Sequence, residues 1–173
     1  MSKPSRTAPL TLHLLRHAKS SWDDPALPDA NRPLSARGER TAAKMARQLA
    51  RERVAPGLVL CSSARRTRQT LELILPALGD PEVLVEDGLY AAGAQALLSR
   101  LRQIPAGIRE AMLIGHNPGI HELALVLAGR GAPASLRESF PTGALVSLTL
   151  EAAAWGDVQR GGVVTRLLLP REL

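Results

Sequence analysis

Short apolar runs alternate with amphipathic segments along most of this sequence. An apolar run predicts a buried strand, because both faces of a central parallel strand are covered. Such strands are predicted at 10–15, 58–61, 83–85 and 112–114, and two later alternating segments predict strands at 144–150 and 163–169. Between the runs, apolar positions recur at helical spacing. This spacing predicts helices over 36–53, after the second strand to about 75, over 94–101 and from Pro118 onward.

Strands that alternate with helices predict an α/β fold whose sheet is covered on both faces. We expect one domain over 10–173, a three-layer α/β/α sandwich with a mainly parallel central sheet and no large cap insertion. The first nine residues are polar, carry two prolines and predict a disordered tail over 1–9. Loops are expected at 21–34 and 129–143, where residues that favour turns cluster.

Several polar residues within these elements are expected to have structural roles. Ser35 is expected to cap the helix over 36–53, and either Ser62 or Ser63 to cap the next helix. His13 lies inside the first strand, and we expect it to be a packed imidazole in or near the core.

Composition and charge indicate which classes of binding partner are expected for this protein. The 173 residues carry a formal net charge of +6, and only 2% of them are aromatic. Positive charge favours an anionic partner, but nucleic-acid binding normally uses stacking aromatics, so no nucleic-acid partner is expected. Residues 1–9 lack the apolar core expected of a signal peptide, and no apolar run approaches membrane-spanning length. With Cys61 as the single cysteine, a cytoplasmic protein without a membrane partner or a cysteine zinc site is expected.

Basic residues follow three of the predicted strands. The first strand ends in Arg16 and His17, the second leads into Arg65 and Arg66, and the fourth is followed by His116. In parallel sheets, ligands bind at the carboxyl ends of the strands. If these strands are neighbours, the basic groups converge into a pocket for an anion. Because a guanidinium group can donate two parallel hydrogen bonds to phosphate oxygens, a phosphoryl group is a better ligand for this pocket than a carboxylate.

The nucleophile expected in such a pocket is a histidine. Neighbouring guanidinium groups disfavour the imidazolium form, so His17 should stay neutral and nucleophilic. A backbone carbonyl would hold the proton of its other ring nitrogen. Arg16 and Arg66 would bind the phosphoryl oxygens, and His116 would add a further donor. No metal or cofactor is expected, since the sequence has no carboxylate or histidine cluster suited to a metal; His121 and Glu122 lack a second histidine four residues on.

A thiolate nucleophile is a weaker alternative. A cysteine phosphatase places an arginine six residues after its cysteine, whereas Thr67 stands at that distance from Cys61. A phosphate- or phosphoprotein-binding module without catalysis is a second alternative, and a basic nucleic-acid binder is a third.

The motifs around these residues resemble those of the histidine phosphatase superfamily, also called phosphoglycerate mutase-like. The segment Leu15-Arg16-His17-Ala18-Lys19-Ser20 resembles its Arg-His-Gly signature. The segment 62–70 resembles its block in which an arginine stands four residues before a threonine, and Gly115-His116-Asn117-Pro118 resembles its second-histidine block. Two further segments, 32–38 and 140–144, resemble small SixA-type members. The resemblance implies that His17 is phosphorylated and that Arg16, Arg66 and His116 complete the phosphate pocket.

The resemblance leaves the proton donor open. Larger members of the superfamily carry an acidic donor near the region 86–91, which makes Glu86 and Asp87 the candidates. Ala18 replaces the usual glycine after the catalytic histidine, with little expected effect. The weak donor and the short chain favour a SixA-like phosphatase over a mutase.

The expected substrate is a phosphohistidine in a protein, or alternatively a small phosphomonoester, with inorganic phosphate as product. Residues at the rim of the pocket are expected to contact the substrate: Lys19, Ser20 and Asn117.

Overall fold

The computed structural model describes residues 8–173, and its six strands form one sheet. The strands are β1 (Leu10–Arg16), β2 (Leu58–Ser62), β3 (Glu82–Glu86), β4 (Glu110–Gly115), β5 (Leu145–Leu150) and β6 (Val163–Leu168). The helices are α1 (Ala36–Arg51), α2 (Arg65–Ile74), α3 (Ala94–Leu101), α4 (Gly119–Ala128) and α5 (Ala134–Glu138). Every predicted strand and helix is present, with ends shifted by one or two residues.

The strand order of the sheet is β3-β2-β4-β1-β5-β6. The first four strands are mutually parallel, whereas β5 runs antiparallel to β1 and β6 runs antiparallel to β5. The register of β1 and β4 pairs Arg16 with Gly115. Consequently, the residues that follow these two strands, His17 and His116, emerge side by side at the carboxyl edge of the sheet.

Alternating strand residues divide the core between the two faces of the sheet. Leu14, Leu60 and Leu113 point to the face covered by α3, α4 and α5. Cys61 and Ile114 point to the opposite face, where α1 and α2 pack. The mainly parallel sheet with helices on both faces confirms the predicted α/β sandwich in a single domain. With so few aromatic residues, the interior is mostly aliphatic.

The two predicted loops contain more regular structure than expected. Segment 129–143 includes a 3-10 turn at Gly129–Gly131 and the short helix α5, whose Leu136 is fully buried. Loop 21–34 includes a 3-10 turn at Asp29–Asn31. Five residues are too few to give a clear helical periodicity, so the sequence does not predict α5.

One predicted helix cap is confirmed and the other is wrong. The Ser35 side chain accepts a hydrogen bond from the Gly38 N–H (3.0 Å) at the start of α1. The N-cap residue of α2 is Ala64, without a side-chain capping bond. Ser62 instead bonds to His116, as described below.

Residues 1–7 of the predicted tail lie outside the described residues, and Ala8 and Pro9 are exposed. Within residues 8–173, no helix combines the length and the apolar character that crossing a bilayer requires.

Candidate active site

Three adjacent parallel strands bring four predicted site residues together. Arg16 ends β1 and His17 follows it, His116 follows β4, and Arg66 lies in the first turn of α2 after β2. Because β4 lies between β1 and β2, the three strand ends are neighbours. The ring centroids of His17 and His116 are 5.2 Å apart.

These residues surround an open cavity of about 350 Å³. Its lining residues are Arg16, His17, Lys19, Ser20, Trp22, Arg32, Arg66, His116, Asn117 and Thr142. Four of them are cations, and none of these lining residues is acidic. The cavity is therefore electrostatically suited to a small anion with several oxygen acceptors, such as a phosphoryl group.

The hydrogen bonds of His17 define its tautomer. Its Nδ1 lies 2.7 Å from the Ala18 carbonyl oxygen, so Nδ1 carries the proton and donates it. The Arg66 Nε–H lies 3.3 Å from Nε2 and donates to it. Hence Nε2 has no proton, and its lone pair lies beside the guanidinium groups. The backbone carbonyl that the sequence analysis expected is that of Ala18.

Burial keeps His17 neutral. Its side chain is only 6% exposed. The pKa of His17 is lowered to about 3, mainly by burial; the bond to the Ala18 carbonyl raises it, and the electrostatic effect of the neighbouring His116, Arg66 and Arg16 lowers it further. The guanidinium groups act in the predicted direction, but burial is the larger cause.

His116 is held by Ser62. Its Nε2 lies 2.7 Å from Ser62 Oγ, and its Nδ1 accepts from Arg66 Nη2 at 3.3 Å. This pairing places the ring proton on Nε2. Burial, followed by the Arg66 charge, lowers the pKa of His116 to about 4, so this ring is also neutral near neutral pH. The sequence predicts Ser62 only as a helix cap, and its contact with His116 was not predicted.

Arg66 is clamped by a residue that the sequence analysis did not single out. Its Nη1 donates to the Asp29 backbone carbonyl (2.8 Å) and its Nη2 to Asp29 Oδ2 (3.0 Å). Tyr90 Oη donates to the same carboxylate oxygen at 2.6 Å. The Tyr90 hydrogen bond, followed by those of Arg66 and Arg32, lowers the pKa of Asp29 to about 2. Asp29 is thus an ionised group that fixes the orientation of Arg66.

Arg16 and Asn117 share one anchor. Arg16 Nη1 and Asn117 Nδ2 both donate to the Phe140 carbonyl oxygen, at 3.0 Å and 2.9 Å. Arg16 Nε and Asn117 Oδ1 are buried and make no hydrogen bond within residues 8–173. Gly143 supports the same backbone: its N–H donates to the carbonyls of Arg16 and His17, and its φ of +78° favours glycine. These contacts come from the predicted supporting segment 140–144.

The rim of the cavity is formed by the loop after His17. The Arg32 guanidinium bonds to Ser20 Oγ (2.7 Å) and to Asp29 Oδ1 (3.2 Å) and lies 3.1 Å above the centre of the Trp22 ring. Lys19 is exposed at the mouth. The structure thus places the predicted rim residues Lys19, Ser20 and Asn117 at the cavity, and Trp22 and Arg32 with them.

The two candidate proton donors lie outside the cavity lining. The Glu86 carboxylate receives bonds from Arg100 at 2.7 Å and 2.8 Å, and Asp87 is exposed. Neither lines the cavity with His17. Arg65 is exposed as well, which leaves Arg66 as the arginine that the second strand delivers.

Cys61 is not placed as a thiolate nucleophile. It is fully buried on the face packed by α1 and α2. Burial raises the pKa of the Cys61 thiol to about 12. This environment is the reverse of the one that a cysteine phosphatase provides.

Across residues 8–173, no group of three or more histidine, cysteine or acidic side chains is arranged to hold a metal ion.

Comparison with known proteins assigns the family. The model of the histidine phosphatase superfamily (branch 1) matches residues 12–94, the segment that carries Arg16, His17 and Arg66. A solved SixA structure from Nakamurella multipartitia, assigned as a phosphohistidine phosphatase, is 30% identical and superimposes with a TM-score of 0.83 over 96% of this chain and 99% of that one. The chain belongs to the histidine phosphatase superfamily. Within the superfamily it is of the SixA type, as the motifs predicted.

Three further relatives of this histidine phosphatase extend the comparison. The protein histidine phosphatase SixA, solved with bound tungstate, is 25% identical with a TM-score of 0.78, covering 94% of this chain and 99% of that one. A Mycobacterium tuberculosis protein is 34% identical over 152 residues, which cover 85% of this chain and 93% of that protein. A chloroplastic Arabidopsis thaliana protein is 39% identical over 140 residues, 74% of this chain but only 63% of the plant protein.

Proposed function

We propose that this chain is a metal-independent phosphatase that removes the phosphoryl group from a phosphohistidine in a protein, through a phosphorylated His17. The observation that carries the proposal is the state of His17: its Nδ1 proton is held by the Ala18 carbonyl, and Nε2 is unprotonated beside Arg66. The similarity to one SixA structure named as a phosphohistidine phosphatase and to another named as a protein histidine phosphatase supports the substrate class.

In the first half-reaction, the Nε2 lone pair of His17 attacks phosphorus, and the bond between phosphorus and the substrate nitrogen breaks. Arg16 and Arg66 bind the phosphoryl oxygens, where charge gathers in the transition state. The substrate imidazole leaves as a neutral ring when its other nitrogen already carries a proton. The enzyme then holds phosphohistidine at His17, with the Nδ1 proton still donated to Ala18.

In the second half-reaction, water attacks the phosphorus atom of phospho-His17. The bond to Nε2 breaks, its electron pair returns to the ring, and the water protons stay with the product as dihydrogen phosphate. His17 is regenerated in its starting tautomer. The depressed pKa of His17, about 3, means that the regenerated ring is neutral, with Nε2 unprotonated and available for another cycle.

The choice of phosphohistidine over an alcohol phosphate rests on the lack of an acid at the cavity. An alcohol leaves readily only if a side chain protonates its oxygen. Asp29 is ionised, both histidines are neutral, and no acidic residue is among those lining the cavity. A donor role for Glu86 or Asp87 stays a prediction, and it applies to the alternative phosphomonoester reaction. Lys19, Ser20 and Asn117 are proposed to contact the substrate.

A substrate panel tests this function. The full chain is assayed for phosphate release from a phosphohistidine peptide, a phosphoserine peptide, p-nitrophenyl phosphate and a sugar phosphate. We expect the phosphohistidine peptide to have the highest kcat/KM, and rapid acid-free quenching to trap a phosphoenzyme that acid releases. A higher kcat/KM for the sugar phosphate would contradict the substrate class, and phosphate binding without release from any compound would indicate a binding module.

His17→Ala should abolish both turnover and the trapped phosphoenzyme. The matched control is His121→Ala, because His121 bonds to the Leu136 carbonyl oxygen and does not line the cavity. Retained turnover in His17→Ala, or equal losses in both variants, would refute the assignment of the nucleophile.

A further inference from the structure

A second concave surface adjoins the phosphate cavity. It encloses about 350 Å³ and shares Lys19 and Thr142 with that cavity. It continues into a third depression of about 400 Å³ through shared residues at Arg37 and Arg171. Because neighbouring depressions share lining residues, together they form one groove that leads away from His17. We call the cations along it the basic groove: Lys19, Arg37, Arg40, Lys44 and Arg171.

Helix α1 supplies one wall of the basic groove. Arg37, Arg40 and Lys44 are spaced by three and four residues, so they lie on one face of the helix. From Arg37 to Lys44 this face extends about 10 Å along the helix axis. The buried residues Ala42 and Met45 turn a different face to the core. The groove is therefore an elongated surface rather than a compact pocket.

The position of α1 relative to His17 is fixed by backbone contacts. The Lys19 carbonyl oxygen accepts bonds from the Ser35 N–H (2.8 Å) and hydroxyl (3.1 Å) just before the helix. A Cβ added at Gly38 would lie 2.1 Å from the same carbonyl oxygen, so only glycine permits this approach. The basic groove and the phosphate cavity are consequently held at a constant separation.

The cations of the basic groove are not paired with acidic side chains. All five are exposed, and within residues 8–173 none of them forms an ion pair with an aspartate or glutamate; Lys44 Nζ donates to the Leu173 carbonyl oxygen at 3.5 Å. Elsewhere in the described chain, Arg100 pairs with Glu86 and Arg166 with Glu52. No residue lining the two outer depressions is acidic. The groove thus presents a continuous positive surface beside a site for a phosphoryl group.

We propose that the basic groove binds an acidic face of the protein that carries the phosphorylated residue. This inference rests on the proposed function and specifies the substrate further. A histidine side chain is short, so a phosphohistidine can reach His17 only if the surface around it contacts the mouth of the cavity. The length of the α1 face and the exposure of its cations suit an extended acidic surface better than a second phosphate of a small molecule. Trp22 is the only aromatic residue at these depressions, which disfavours nucleic acid.

Peptides of equal length test the proposal. One carries glutamates on both sides of the phosphohistidine, and the other carries glutamines. For the unmodified chain at low ionic strength, we expect kcat/KM to be about 10-fold higher for the acidic peptide, and about 1 M salt to remove the difference. Equal kcat/KM for the two peptides would overturn the proposal while leaving the phosphatase function intact.

Paired variants locate the effect. Arg40→Gln with Lys44→Gln removes two groove cations, and Arg130→Gln with Arg160→Gln removes two exposed cations that line a separate depression sharing no residue with the groove. The groove pair should lose most of the preference for the acidic peptide through KM, whereas the control pair should retain it. Equal effects of the two pairs would overturn the proposal, because they would reflect net charge alone.

A binding measurement separates failure of the groove from failure of the phosphatase function. Fluorescence anisotropy with the unphosphorylated acidic peptide requires no turnover. Weaker binding by the groove pair than by the control pair supports the proposal even if no substrate is hydrolysed. If the groove substitutions instead weaken only the binding of an oligonucleotide, or only the binding of a small bisphosphate, that ligand class replaces the acidic protein and the proposal is overturned.

Discussion

His13 and His17 are four residues apart and similarly buried, at 2% and 6% exposure, yet their neighbours carry opposite charges. His13 bonds to Glu110 Oε1 (2.9 Å) and Ser147 Oγ (2.7 Å). His17 accepts a hydrogen bond from Arg66 Nε–H at Nε2 (3.3 Å) and donates from Nδ1 to the Ala18 carbonyl oxygen (2.7 Å). Burial alone therefore does not mark a functional histidine. An acidic neighbour ties the imidazole into the structure, whereas cationic neighbours leave Nε2 of the imidazole unprotonated and attract an anion.

The largest expected effect comes from replacing each of these two histidines in turn. His17→Asn should lower kcat/KM for a phosphohistidine peptide by about 10⁴-fold or more, because the nucleophile is lost. His13→Asn should change kcat/KM by less than about threefold but lower Tm, since a buried hydrogen-bonded network loses partners. Steady-state kinetics and thermal unfolding of both variants check this contrast. Comparable kinetic losses would show that His13 also supports the chemistry.

A smaller effect concerns stability in acid. The pKa of His17 is about 3 and that of His116 about 4 in the folded chain, whereas an unfolded histidine titrates near 6.5. Between these values the unfolded state binds more protons, so stability falls as pH decreases below about 6.5, by about 1.4 kcal/mol per pH unit for each histidine. His17→Asn should therefore have a shallower decrease, measured by urea unfolding between pH 7 and pH 5. An unchanged slope would contradict the neutral buried state of His17.

The next effect tests the clamp on Arg66. Asp29→Asn removes the charge that holds this guanidinium, and we expect kcat to fall about 10-fold with a smaller change in KM. Asp29→Glu should restore part of the activity. Asp23→Asn, at an exposed position of the same loop, is the matched control and should be near wild type. If both asparagine variants lose the same activity, the clamp is not the cause.

The smallest effect is expected at Ala18. Its side chain is fully buried, but its contribution to the site is through the backbone: its N–H donates to Thr70 Oγ1 (3.1 Å) and its carbonyl accepts from His17. Ala18→Gly keeps both groups and should cost less than about 1 kcal/mol of stability. Activity should stay within about twofold. A large loss of activity would show that the methyl group itself positions His17.

The sequence predicts the elements of this molecule well because its strands are short apolar runs and its helices have clear periodicity. It also predicts that Arg16, His17, Arg66 and His116 lie together, since each follows a strand and parallel strands end at one edge. These inferences need only local pattern and a general rule of topology.

The remaining parts of the site depend on contacts between distant segments. Asp29 reaches Arg66 and Tyr90 only because the loop after β1 folds over α2, and no local pattern encodes that path. Ser62 is suited to capping α2 by its position, but His116 on the neighbouring strand takes its hydroxyl. Glu86 lies where larger relatives carry a donor, yet Arg100 on α3 binds it. In each case a partner remote in sequence decides the role.

The loop after His17 is closed at its base. Ser20 and Leu34 form a β-bridge, the Ser21 N–H donates to the Pro33 carbonyl (2.8 Å), and the Lys19 carbonyl accepts from Ser35. Such a closed base makes the intervening segment an exchangeable module. Its length and sequence can diverge, or be replaced by grafting, while the backbone at His17 stays in place, provided that the graft retains a carboxylate for Arg66. Proteins with this arrangement can change their substrate specificity through this loop while the catalytic residues keep their positions.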